Sequence, residues 1–67
     1  MLTERQEQIV KAIEELTDEY GYPPTVREVG RRVGLSSSST VHTHLNNLAR
    51  IEKVEWNPLS PRTLRVK

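Results

Sequence analysis

Apolar residues recur along this chain with two periods, and the change of period divides it. From Thr3 to Tyr20 the period is helical: Ile9, Ile13, Leu16 and Tyr20 fall at i, i+4, i+7 and i+11, and Val10 widens the stripe. Thr3 and Gln6 have the spacing of a capping box, in which each side chain satisfies the other residue's backbone N–H. Glu4 and Glu7 sit where the helix dipole favours acids, and Gly21 is placed to end the helix. This first helix reads as scaffold. The connector Gly21-Tyr22-Pro23-Pro24-Thr25 is stiffened by its prolines, which set the angle to the next helix; Tyr22 reads as a lid over the core. Thr25 and Glu28 repeat the capping-box spacing, Val26, Val29 and Val33 give the inward stripe of a short second helix, and Gly34 closes it. Gly30 costs this helix about 1 kcal/mol against alanine. A glycine there marks the close approach of another backbone, and the next helix is the natural candidate.

A serine run, Ser36 to Ser39, then supplies candidate N-caps. Val41, Leu45 and Leu48 resume the helical spacing, so a third helix is expected from about Ser37 or Ser38 to about Arg50. Ser39, Thr40, His42, Thr43, Asn46 and Asn47 project away from its apolar stripe. That face is rich in hydrogen-bonding groups and carries neither a carboxylate nor a large apolar side chain. Beyond Arg50 the period falls to two. Val54 and Trp56 alternate with Lys53 and Glu55, and Leu64 and Val66 alternate with Thr63, Arg65 and Lys67, around the turn Asn57-Pro58-Leu59-Ser60-Pro61. A lone hairpin is marginal in water, so its apolar side must pack on the helices. The predicted fold is mainly α with a small β-hairpin: a three-helix winged helix-turn-helix, one domain over residues 1–67.

Composition narrows the function classes. Sixty-seven residues make one small core. Without cysteine there is neither a disulfide nor a cysteine–zinc staple, and with no long apolar run or signal peptide a cytoplasmic protein is expected. The net charge of +1 is uninformative, but its distribution is not. Residues 1–24 hold six acids against two bases, a balance of −4; residues 25–67 hold eight bases against three acids, a balance of +5. Such a dipole turns one end of a protein toward a polyanion; alternatively it is a surface dipole without a partner. An enzyme is not expected. Ser38 or Ser39 with His42 has no acid nearby in sequence and little room for an oxyanion hole. His42 and His44, two apart, do not share a helix face, so no metal site is expected, nor a cofactor or small-molecule substrate.

A helix entered through a tight turn, with short polar groups near its start, suits the major groove of double-stranded DNA, and the helix before it crosses the phosphate backbone. Base contacts are therefore expected from Ser39, Thr40, His42, Thr43 and Asn46. Phosphate contacts are expected from Thr25 and Arg27 of the second helix, from Ser38 at the start of the third, and from Arg62 and Arg65 near the wing. The plain alternative for the third helix is an ordinary solvated face. The rival function is a winged helix used for protein contact, modulating another regulator or polymerase; Ile51, Glu52 and Glu55 favour it. RNA binding finds little support, because Trp56, Tyr20 and Tyr22 read as core or edge.

The chain also resembles the N-terminal DNA-binding domain of the LexA repressor family, in its Gram-positive and actinobacterial forms. The resemblance rests on Leu2-Thr3-Glu4-Arg5-Gln6, on Gly21 to Gly30, on Val33 to His42, and on Asn57-Pro58 and Pro61-Arg62. It implies a winged helix-turn-helix that represses DNA-damage-response promoters, as a dimer on palindromic operators with GAAC and GTTC half-sites, in a bacterial or phage-encoded, nucleoid-associated setting. Carried onto matching positions, it implies contacts from Ser37, Ser39, Thr40, His42 and Thr43, with Ser37 near enough to the helix start to reach a phosphate. His44, on the flank of the apolar stripe, reads as packing or a phosphate contact. There are departures. Ile51 and Glu52 stand where the family usually has a basic residue and a glycine, and Glu55 where it is often basic. The family's second domain, with its self-cleavage site, serine–lysine pair and most of the dimer contacts, has no counterpart in these residues. The chain is then an isolated domain or a small stand-alone homologue, forming at most a weak homodimer on DNA.

Overall fold

A computed structural model describes residues 2–67. Among these residues the chain forms three helices, α1 (Glu4–Tyr20), α2 (Val26–Arg32) and α3 (Ser38–Arg50), and two short antiparallel strands, β1 (Val54–Glu55) and β2 (Arg65–Val66). Both capping boxes form. The Thr3 hydroxyl accepts from the Gln6 N–H at 3.1 Å and the Gln6 side chain accepts from the Thr3 N–H at 3.2 Å. Thr25 and Glu28 repeat the exchange at 3.2 and 2.8 Å. Gly21 ends α1 in the left-handed region (φ 78°), where its missing Cβ removes the steric cost.

The predicted stripes meet in one core. α1 contributes Ile9, Ala12, Ile13 and Leu16, α2 contributes Val29, α3 contributes Val41, Leu45 and Leu48, and the hairpin adds Val54 and Leu64. Each large aliphatic side chain buried here is worth ~1.5–3 kcal/mol of transfer from water. Gly30 sits where close approach was expected. A Cβ at this position would lie 3.0 Å from Val41 Cγ2 and 3.3 Å from the Leu35 carbonyl oxygen, so α3 can cross α2 tightly only because that atom is missing. The crossing is locked by the end of α2. With Gly34 at φ 79°, the Leu35 N–H reaches back to the Gly30 carbonyl at 2.8 Å and the Gly34 N–H to Arg31 at 3.3 Å. From the other side Arg5 donates to the Val33 carbonyl at 2.8 Å, and Arg32 binds Glu19 at 2.9 Å and Glu15 at 3.6 Å. Arg32 holds the Glu19 carboxyl below its ordinary range, first by hydrogen bonding and then by charge.

Two expectations need correcting. The strands are two residues long, so Trp56 and Leu64 fall just outside the ladder. The physical reason lies at the next position. The Asn57 N–H is taken at 2.9 Å by the Thr63 hydroxyl, which in turn shares its hydrogen between the Asn57 and Ser60 carbonyls, so a side chain replaces the backbone pairing. Tyr22 is not a core lid. It is 49% exposed, stacked on Tyr20 at 5.4 Å, and serves as a platform for the Arg62 guanidinium 4.8 Å above its ring. Trp56, expected at core or edge, is half-buried and packed against the core, with one face left for α3.

Candidate nucleic-acid interface

α3 begins where its sequence allows a cap. The Ser37 hydroxyl accepts from the Thr40 N–H at 3.4 Å, which leaves its own hydrogen free to donate outward. Ser38, Ser39 and Thr40 follow, all exposed, at the positive end of the helix dipole. Ser39, Thr43 and Asn46 fall at i, i+4 and i+7, with His42 beside them, so these four of the expected base-reading residues share one face, with Thr40 at its edge. Thr43 donates its hydroxyl hydrogen to the Ser39 carbonyl at 3.0 Å. What remains outward is its acceptor capacity and a methyl group, a narrower choice of partners than sequence alone implied. His42 is half-buried, its ring set edge-on to Trp56 with centroids 5.1 Å apart and planes at 78°. His44, on the flank, is half-buried, and its Nδ1 is buried without a hydrogen-bond partner among the described residues.

Residues far apart in sequence converge beside this face. Thr25 at the N-cap of α2, Arg27 of α2, Ser38 and His42 of α3, and Arg62 of the wing line one groove of about 320 Å³, together with Trp56 and Pro58. A second hollow of about 460 Å³ adjoins it between α2 and α3, and Arg27 and Ser38 line both. Arg31 also lines the second hollow, is exposed, and has no ion-pair partner among the described residues. Sequence reading did not single it out. The signal was present: Arg27 and Arg31 stand i, i+4 on α2 and so share a face.

Arg62 reaches the groove by an unusual route. Its backbone is left-handed (φ 58°), and its guanidinium turns back onto the start of α2. There it meets Glu28 at 3.2 and 3.3 Å and the Pro23 carbonyl at 3.2 Å. Glu28 is held below the ordinary glutamate value of 4.5, chiefly by the Thr25 N–H; desolvation opposes this, and the Arg62 hydrogen bond and charge add to the lowering. Arg65 is not brought together with the others. It is the cross-strand partner of Glu55 and lines a separate hollow with Glu14, Thr17 and Asp18 of α1. Glu52 likewise faces a base, Lys67, at 3.4 Å. Both wing-side acids therefore have a cationic neighbour.

Among the described residues no cluster of histidine and acidic side chains is arranged to hold a metal ion, and no helix is long and apolar enough to cross a membrane. Compared with known proteins, residues 1–63 match the family model of the LexA DNA binding domain. LexA repressors of Bacillus mycoides, Bacillus thuringiensis and Bacillus anthracis are each 46% identical over 65 residues. The alignment covers 97% of this chain and 32% of each relative, so the chain spans about a third of the length of these curated relatives.

Proposed function

The chain belongs to the LexA DNA-binding domain family, and we propose from that premise that it binds double-stranded DNA sequence-specifically and represses transcription from palindromic operators. The observation that carries this reading is the groove in which Thr25, Arg27, Ser38, His42 and Arg62 meet from three separate elements beside an exposed polar helix face. α3 enters the major groove. Ser39, Thr40, His42, Thr43 and Asn46 meet base edges, where hydroxyls pair with donors or acceptors and threonine methyls touch thymine methyls. Thr25, Arg27, Ser37 and Ser38 hold the flanking phosphates, joined by Arg31. Arg62 keeps Glu28 as its partner and turns its remaining N–H donors to the backbone. Arg65, beside the acidic α1, contributes the least of the phosphate set. Two copies bind the two half-sites and associate only weakly with each other, in the bacterial cytoplasm at the nucleoid.

The test is a fluorescence anisotropy titration at several salt concentrations on two duplexes, one with a GAAC/GTTC inverted repeat and one with it scrambled. Tight binding to the repeat alone, weakening by orders of magnitude between roughly 50 and 200 mM salt, is expected. Arg27→Ala should weaken both duplexes alike and reduce the salt slope by about one. Weak binding to both duplexes with equal slopes would overturn operator reading. It would favour a winged helix that docks on another protein, a role for which Leu59, 91% exposed at the wing tip, offers an apolar contact.

A further inference from the structure

We infer that Trp56 is a positioning residue for base readout: by holding the His42 imidazole edge-on, the wing sets part of the sequence specificity of α3. The inference rests on the operator-reading function proposed above. An imidazole on a helix surface has two side-chain torsions and several rotamers to choose among, whereas a hydrogen bond to a base edge needs one of them. In this chain the ring is not free. Its centroid lies 5.1 Å from the indole at an interplanar angle of 78°, the edge-to-face arrangement that aromatic quadrupoles prefer. A contact of that kind biases a rotamer population by several-fold to about tenfold.

The indole is itself well supported. Trp56 packs against the core, two residues beyond the buried Val54, and the next residue, Asn57, is clamped by Thr63 through its N–H and its carbonyl. A ring resting on Trp56 is therefore referenced to the core of the domain rather than to solvent. The same groove places Thr25, Ser38 and Arg62 around the pair, so an imidazole fixed by Trp56 is also fixed relative to the phosphate-binding groups. Placement of the backbone and orientation of a base reader thereby become one geometric problem, solved by the wing.

The experiment compares wild type, Trp56→Ala, Trp56→Phe, His42→Ala and the Ala/Ala double variant. Each is titrated onto the GAAC/GTTC duplex and onto a series of duplexes with one base pair changed at a time, after thermal melts confirm folding. His42→Ala should level discrimination at one or two base pairs, by about tenfold there. Trp56→Ala should level the same pairs and leave the salt slope unchanged. The double variant should be no worse than His42→Ala alone, and Trp56→Phe, which keeps a ring, should retain most of the discrimination. Equal loss on every duplex, or losses that add in the double variant, would overturn the inference while leaving operator reading intact. A wild type that does not distinguish the repeat from its scramble would sink operator reading and this inference with it. If Trp56→Ala does not fold, the His42 ring-proton shifts of the free wild-type protein decide. Displacement by the indole ring current, reduced in Trp56→Phe, supports the contact, and random-coil shifts overturn it.

Discussion

α2 and α3 end in the same hydrogen-bond pattern but with different residues at its critical position. After α2 the left-handed residue is Gly34, at φ 79°. After α3 it is Glu52, at φ 60°, yet the Lys53 N–H still reaches the Leu48 carbonyl at 2.9 Å and the Glu52 N–H reaches Ala49 at 3.0 Å. The first turn launches α3 and the second launches the wing. The comparison shows that this cap is imposed by what the chain must do next, since Val54 and Leu64 have to return to the core. Where glycine is present the turn costs little. Where it is absent the turn forms anyway and carries a left-handed strain of about 1–2 kcal/mol. The wing is thus held against a local preference, and the helix-turn-helix with one.

The sharpest way to break this contrast is at the tightest contact of the helix-turn-helix. Gly30→Ala adds helix propensity worth ~1 kcal/mol but drives a methyl to 3.0 Å from buried Val41 and 3.3 Å from a backbone carbonyl. We expect a net loss of about 1–2 kcal/mol in urea unfolding, with weaker DNA binding as α3 is pushed outward. An unchanged or raised midpoint would show that the crossing yields easily and is no better specified than the wing. Next come the two caps themselves. A Cβ at Gly34 meets nothing within 4 Å, so Gly34→Ala isolates the dihedral cost and should lose about 1 kcal/mol. Glu52→Gly should go the other way and gain about 0.5 kcal/mol, the relief of strain being offset by the greater entropy of the unfolded chain and by the exposed pair with Lys67. Glu52→Ala separates these effects, since it keeps the strain and removes the pair. If Glu52→Gly is neutral or destabilising in thermal melts, the two caps are not equivalent and the contrast falls.

The same difference explains how much could be read from the sequence. The helices, both capping boxes, the close approach at Gly30 and the core stripes were legible because each depends on residues three or four apart. The wing was legible only as a change of period. Its short ladder depends on the Thr63 hydroxyl meeting Asn57, and its seat on α2 depends on Arg62 meeting Glu28 across half the chain. Neither meeting leaves a local pattern. For the same reason the exposed polar face of α3 was visible in the sequence, but the convergence of Thr25, Arg27, Ser38 and Arg62 in one groove was not. Nor was the separation of Arg65 from that groove, which follows from a strand register placing it opposite Glu55. Tyr22 was misplaced on the same account: an aromatic between a glycine and prolines looks like a lid until the distant arginine that it supports is known.

The smallest expected effect tests whether the wing's seat is electrostatic. Glu28 is held below its ordinary value by the Thr25 N–H and by Arg62, so its carboxylate favours the folded state. A depressed folded value means that this contribution is present in full above the unfolded value and is lost as pH falls through the folded one. Acid should therefore weaken the domain as pH falls through and below the ordinary glutamate value, the wing first, with Trp56 fluorescence changing before the helical signal. Glu19, also depressed by its partner Arg32, adds a loss of the same sign at the α1–α2 contact. Glu28→Gln separates the two. The amide still accepts from the Thr25 N–H but cannot titrate, so the variant should be slightly less stable at neutral pH and should lose the early fluorescence step while keeping the later helical one. If Glu28→Gln retains the early step, the pairing with Arg62 is not what seats the wing. The left-handed Arg62 backbone and the Tyr22 platform would then have to hold it without help from charge.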